Sequence, residues 1–153
     1  MAYEDLLGWL KDAWRAGGVA PAQPATPAEI AAFEQRQGIY LPAPFRAYLE
    51  AFNGGADGRN GMTADRLVAF WHLDEIEAGL RERSTRSLLP FADFLVDSHE
   101  YVVDLDSEAG AVHIDHGTAI VPSAPSFEAF LEGYILDDSR VLHGQDLSSE
   151  PAA

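Results

Sequence analysis

The sequence predicts a single α+β domain in which helices cover a central antiparallel sheet. Apolar residues at helical spacing fill the first third of the chain, short β-type runs follow, and another helical stripe comes near the end. Helical and β-type segments that are segregated along a chain are typical of α+β domains. With 153 residues, of which 47% are hydrophobic, the chain has the length of one domain and enough apolar side chains for a core.

The N-terminal helix is predicted over residues 1–17. Apolar side chains between Tyr3 and Trp14 recur at helical spacing, and Gly17 ends the pattern. Residues 18–26 are rich in proline and alanine, which predicts an extended connection that lies on the surface.

The second helix is predicted to start with a capping box. Thr26 can cap it, Pro27 suits its first position, and the carboxylate of Glu29 can reach back to the cap. Gly38 ends this helix. A third helix follows Pro42, and its apolar face is formed by Phe45, Tyr48, Leu49 and Phe52.

Short β-type runs predict the sheet in the second half of the chain. Strands are expected at residues 66–71, 88–92, 100–105 and 111–115. The turn at 106–110 joins the last two strands as a β-hairpin.

Two further helices are predicted around these strands. Asp74 can cap a short one, and Ser126 or Ser123 can cap the last one, whose stripe runs from Phe127 to Tyr134.

The chain is expected to form one domain over residues 1–145, without internal repeats. It is polar from Asp137 onward, so residues 146–153 are predicted to be a flexible tail.

The charge of the chain restricts its partners. The net charge is −15, the pI is about 4.4, and Lys11 is the only lysine. Such a chain should repel nucleic acid and anionic membranes and should associate quickly with a basic protein. It has no cysteine, no signal-peptide pattern and no run of about 20 apolar residues. We therefore expect a cytoplasmic protein without disulfides.

A metal site is the main catalytic alternative. Imidazole and carboxylate groups bind zinc, and His113, Asp115 and His116 lie close together in sequence, with His99 as a possible fourth ligand. Strand alternation places His113 and Asp115 on one face and His116 on the other, which argues against convergence. We therefore predict no metal, no cofactor and no catalytic residue, with a metal-dependent hydrolase as the alternative.

Two segments resemble the SUKH superfamily of the Smi/Knr cell-wall-regulator type. Residues 24–55 read PATPAEIAAFEQRQGIYLPAPFRAYLEAFNGG, and a later segment reads LLPFADFLVDSHEYVVDLDSEAGAVHIDHG before the helix SFEAFLEGYI. Together they extend the resemblance over residues 26–135. One departure is Phe94-Leu95-Val96, where relatives often carry a glycine-rich polar loop.

The resemblance implies the same α+β fold and no enzymatic activity. In bacteria it implies an immunity protein that neutralises a cognate toxin, often a nuclease, delivered by neighbouring cells. Fungal relatives are instead regulatory hubs, so a scaffold or adaptor is a second alternative.

The predicted partner is a basic toxin domain whose active site is blocked by carboxylates. Acids on loops and strand ends, with two aromatic anchors, are the candidate partner-binding residues. These residues are Asp57, Asp65, Trp71, Asp93, Asp97, Glu100, Tyr101, Asp104, Asp106 and Glu108.

Overall fold

A computed structural model describes residues 2–144 and confirms the α+β class. Within these residues there are six α-helices: α1 (Tyr3–Ala16), α2 (Pro27–Gln37), α3 (Ala43–Ala51), α4 (Leu73–Arg81), α5 (Phe127–Ile135) and α6 (Ser139–His143). They surround a sheet of five strands: β1 (Val68–Phe70), β2 (Leu88–Phe94), β3 (His99–Asp104), β4 (Val112–Asp115) and β5 (Ile120–Ala124). A 3-10 turn covers Gly58–Asn60.

The helix signals in the first third of the chain are confirmed. At the start of α2, Thr26 Oγ1 accepts a hydrogen bond from the Glu29 amide at 3.1 Å, and Glu29 Oε1 accepts one from the Thr26 amide at 2.9 Å. This is the predicted capping box. Gly38 ends α2 with a φ of 66°, in the left-handed region that glycine tolerates best.

The start of α4 differs from its prediction. The helix begins at Leu73, one residue before the expected cap Asp74. Asn53 Oδ1 accepts a hydrogen bond from the Leu73 amide at 2.7 Å, and Glu75 Oε1 accepts one from the His72 amide at 2.8 Å. Asn53 lies two residues after the end of α3, so the cap depends on a long-range contact that local sequence does not reveal.

The strands form an antiparallel meander in the order β1-β2-β3-β4-β5. The predicted hairpin between β3 and β4 is confirmed. Strand β5 was not predicted. Strand β2 has an irregular register between Pro90 and Ala92, which places Phe91 as an extra residue on the bulged strand.

The inner face of the sheet packs against α1, α3 and α5. The Phe91 ring lies 5.6 Å from Phe45, 5.4 Å from Phe127 and 5.3 Å from Phe130, measured between ring centroids. These four side chains are fully buried. Interlocked aromatic rings therefore form the centre of the core.

Tyr101 also belongs to this inner face. It is fully buried, and its hydroxyl donates a hydrogen bond to the carbonyl oxygen of Leu142 at 2.6 Å. Tyr101 was predicted as an aromatic anchor for a partner, but strand alternation turns its ring into the core, so the ring does not lie on the surface.

The outer face of the sheet is partly covered by α4. A Cβ atom on Gly79 would lie 2.9 Å from both Pro90 Cγ and Trp71 Cζ3, so only glycine allows this helix to approach so closely. Trp71 is fully buried beneath the helix. Trp71, the other predicted aromatic anchor, therefore does not lie on the surface either.

The C-terminal part of the fold holds the unpredicted helix α6. Val141 and Leu142 are buried, and the Ser123 hydroxyl donates to the carbonyl oxygen of Val141 at 2.5 Å. The helix thus packs against β5 although its sequence is polar at the start. The predicted tail, residues 146–153, lies outside the described residues. Among residues 2–144, no helix combines the length and apolar character that a bilayer crossing requires.

Candidate functional site

The outer face of the sheet carries three acidic side chains in a row. Asp93 on β2 lies opposite Glu100 on β3, and Glu100 lies opposite Asp115 on β4. We call these three residues the acidic row. Like charges directly opposite on neighbouring strands destabilise a sheet. The arrangement therefore requires compensation by other groups.

Arg83 supplies part of that compensation. Its Nη2 atom lies 2.8 Å from Asp115 Oδ2, and its Nη1 atom lies 3.5 Å from Glu100 Oε1. The side chain is only 13% exposed, and its Nε atom has no hydrogen-bond partner among the described residues. One guanidinium group thus lies between two of the three carboxyl groups.

The other end of the acidic row is held by Trp71 and Arg59. The Trp71 indole donates from Nε1 to Asp93 Oδ2 at 2.7 Å, and Asp93 is 2% exposed. The Arg59 guanidinium carbon lies 4.1 Å from the centre of the Trp71 ring, and Arg59 Nη2 lies 3.6 Å from Asp97 Oδ2. Trp71 therefore positions Asp93 and Arg59 from below rather than contacting solvent.

Proton affinity within the acidic row is high. The pKa of Glu100 is raised to about 7, first because burial disfavours the charged form and second because the Asp97 carboxyl group lies beside it, while Arg83 opposes the shift. Burial also raises the pKa of Asp93, against the hydrogen bond from Trp71. At neutral pH the row can therefore release a proton when a cation approaches.

The turn between β2 and β3 borders the acidic row. Asp97 belongs to this turn, and its amide donates to Asp93 Oδ1 at 3.2 Å. Leu95 and Val96 precede it with 44% and 80% of their surface exposed. Carboxyl groups and exposed apolar side chains are thus adjacent at one end of the sheet.

A family model for the SMI1 / KNR4 family (SUKH-1) matches residues 24–133. The chain belongs to the SMI1/KNR4 family. The resemblance to SUKH proteins is thereby confirmed, and the match includes α2 to α4, most of α5 and the whole acidic row. No curated protein matches the chain.

The SUKH-1 fold brings together only some of the predicted partner-binding residues. Asp93, Asp97 and Glu100 meet on the outer face, and the exposed Asp57 directly precedes the 3-10 turn that carries Arg59. Asp65 lies elsewhere, beside Gly17 at the end of α1.

The remaining acids lie at the opposite end of the SUKH-1 sheet. Asp104 ends β3, and Asp106 and Glu108 are exposed in the turn to β4. The β2–β3 turn is at the other end of β3, so the two groups of acids form separate surfaces.

Sequence reasoning missed three members of the candidate site: Arg59, Arg83 and Asp115 as a partner of Glu100. Strand register, which brings Asp115 next to Glu100, is the signal that could have found one of them. The two arginines come from a loop and from the segment after α4, and no local pattern connects them with the sheet.

The alternative metal site does not assemble. Of the four candidate ligands, only the His99 and His116 rings are found in contact, 4.8 Å apart between centroids, while Asp115 pairs with Arg83 on the outer face of the sheet. Among residues 2–144, the ligand atoms that lie close enough for a metal ion belong to His72, Asp74 and Glu75. Glu75 already accepts amide hydrogen bonds at the start of α4 and in the 3-10 turn. Its carboxylate therefore has a structural role.

Proposed function

We propose that this protein is an immunity protein that binds a basic, nuclease-type toxin domain in the cytoplasm and blocks its active site. The observation that carries the proposal is the acidic row with Asp97, on a chain of net charge −15. A nuclease holds nucleic acid through lysine and arginine side chains that contact phosphates. Carboxylates fixed on a rigid sheet occupy the same positions and compete with the substrate.

Electrostatics explain how such a protein would act quickly. Complementary charge raises association rates by orders of magnitude over neutral partners, and added salt reduces this gain. The buried carboxyl groups add a second feature, because a basic side chain that enters the row displaces the proton held by Glu100. Binding should therefore be accompanied by proton release near neutral pH.

The same family also includes regulators, and its members are generally non-catalytic. A regulatory adaptor would share the fold but would not require a buried row of acids that opposes sheet stability. We favour immunity because like-charged neighbours are retained only where another gain offsets their cost.

Co-expression with a toxin gene adjacent to the gene for this protein tests the proposal. We expect the protein to restore growth, to inhibit the toxin's nuclease activity in vitro, and to associate more slowly as salt increases. Absence of protection and of complex formation would contradict the immunity proposal. A complex insensitive to salt would contradict electrostatic blocking.

Two matched double variants test which acidic residues bind the toxin domain. Asp97→Asn/Glu100→Gln and Asp106→Asn/Glu108→Gln make the same chemical changes at opposite ends of the sheet. The first pair should weaken binding about tenfold or more, since charged contacts at an interface centre contribute most. The second pair should change mainly the association rate, and only slightly. Equal losses for both pairs would show that the acidic row has no special role.

A further inference from the structure

The β2–β3 turn contains an apolar tip, Leu95 and Val96, followed by Asp97. All three residues have positive φ angles, of 49°, 54° and 66°. The left-handed region is sterically unfavourable for residues with a Cβ atom, and most of all for a β-branched residue such as valine. Other turns of the sheet place glycine at such positions, as at Gly110 with a φ of 71° and Gly117 with a φ of 86°.

Hydrogen bonds on several sides hold the tip in this conformation. The Leu95 amide donates to the carbonyl oxygen of Leu67 at 2.8 Å, and the Ser98 amide donates to that of Phe94 at 2.9 Å. The Ser98 hydroxyl donates to the carbonyl oxygen of Leu95 at 3.0 Å. These bonds hold both ends of the turn, and Val96 between them has 80% of its surface exposed.

Another apolar side chain is exposed at the far side of the acidic row. Ile120 on β5 is 47% exposed and lies opposite Asp115. The row is thus bordered by the tip near Asp93 and by Ile120 beyond Asp115. Exposed apolar groups next to carboxyl groups exclude water from an ion pair when a partner covers them, which strengthens the pair.

Charge complementarity determines what kind of partner fits this surface. Asp93 is buried, so a partner meets the three carboxyl groups of Asp97, Glu100 and Asp115, and within residues 2–144 the guanidinium groups that pair with these three are those of Arg59 and Arg83. Both arginines already contact these acids, so the surface retains an excess of acid groups. An incoming cation therefore meets acceptors, not a neutralised network.

We propose that the tip inserts Leu95 and Val96 into an apolar depression of a basic protein, beside a lysine or arginine side chain that pairs with Asp97 and Glu100. The proposal rests on the proposed function and assigns the chemistry of its partner: a cationic side chain flanked by apolar surface. Because hydrogen bonds already hold the turn, its backbone loses less entropy on binding than an unbonded loop would. Strain at Val96 is retained because the valine side chain contributes to the contact.

Val96→Gly separates this role from a purely structural one. Glycine relieves the unfavourable φ angle and removes the side chain. We expect the melting temperature of the full chain to rise by about 2–4 °C. Affinity for the inactivated toxin domain encoded beside this gene should fall about tenfold, as measured by isothermal titration calorimetry. If Val96 had only a structural role, the Val96→Gly substitution would not weaken binding while it raised the melting temperature.

Two control variants complete the experiment. Asp137→Gly changes another exposed residue with positive φ, of 55°, in the turn after α5. It should raise the melting temperature and leave affinity unchanged. Val96→Ala retains the Cβ atom and hence part of the strain, so it should weaken binding while raising the melting temperature less than Val96→Gly does.

The outcomes distinguish the two proposals. If the wild-type chain binds the toxin domain and both Val96 variants bind equally well, the tip proposal is overturned and the immunity proposal stands. If the wild-type chain does not bind the toxin domain, both are overturned.

Discussion

The two faces of the sheet differ in what holds their side chains together. Strand β3 shows the contrast within one element, since Tyr101 and Val103 point into the core while Glu100 and Asp104 point outward. The inner face is closed by aromatic packing, whose energy depends on shape and buried area. On the outer face, ion pairs hold the side chains, and their energy depends on which carboxyl groups are protonated. One set of strands thus carries aromatic packing on one face and charged groups on the other.

The inner face should show the largest effect on stability. We expect Phe91→Ala to reduce the free energy of unfolding by about 3–5 kcal/mol, because it leaves a cavity among three other aromatic rings. Urea denaturation followed by circular dichroism measures this change. Ile120→Ala, at a 47% exposed position, should change it by less than about 0.5 kcal/mol. Similar values for the two variants would abolish the distinction between the faces.

His99, at the edge of the inner face, should make stability depend on acid. It is 9% exposed, and burial together with His116 and His143 lowers its pKa to about 4. Because the unfolded chain protonates first, near pH 6.5, stability is fully present above that pH and is lost as pH falls towards 4. The loss should approach about 2–3 kcal/mol.

The His99→Gln substitution should remove most of the loss of folding stability between pH 6.5 and 4, as measured by the midpoint of urea denaturation at each pH. His113→Gln, on the outer face, makes the same chemical change and should retain it. Parallel pH profiles for wild type and His99→Gln would contradict the prediction.

Glu100 on the outer face should produce the opposite and smaller pH dependence. Its pKa in the folded protein is about 7, above the value of 4.5 expected without its neighbours. The folded state then holds a proton that the unfolded state has released, so stability is lost as pH rises from about 4.5 to 7. Glu100→Gln should therefore gain about 1–2 kcal/mol relative to wild type between pH 5 and pH 8.

Thermal unfolding at the two pH values tests this gain, with Glu108→Gln in the β3–β4 turn as the control. A constant difference between wild type and Glu100→Gln across this range would show that the acidic row does not bind protons as described.

The inner face was more predictable from sequence than the outer face. Helical spacing predicted Phe45 and Phe127 in the core, and the capping box at Thr26 predicted the start of α2. These features depend on neighbours within one or two turns. Helix α6 is held by contacts of Val141 and Leu142 with distant residues, so its polar sequence concealed it.

Acids alone did not define the candidate site. Composition predicted that carboxylates bind the partner, but a sequence does not distinguish Asp93 from Asp106. In the fold, Asp93 is buried on the outer face of the sheet and Asp106 is exposed in the β3–β4 turn. Register places Glu100 opposite both Asp93 and Asp115, and register follows from the pairing of whole strands. The burial of Trp71 likewise depends on the close approach of Gly79, a contact between separate elements.

The edges of the sheet limit how another chain can attach. At one edge, β1 contains only three residues. At the other, β5 includes Pro122, which has no amide hydrogen to donate, and α6 packs against the strand. Exposed strands otherwise invite a foreign strand to extend the sheet, which is a common route to aggregation. With both borders protected in this way, the sheet offers another chain side chains rather than free main-chain groups.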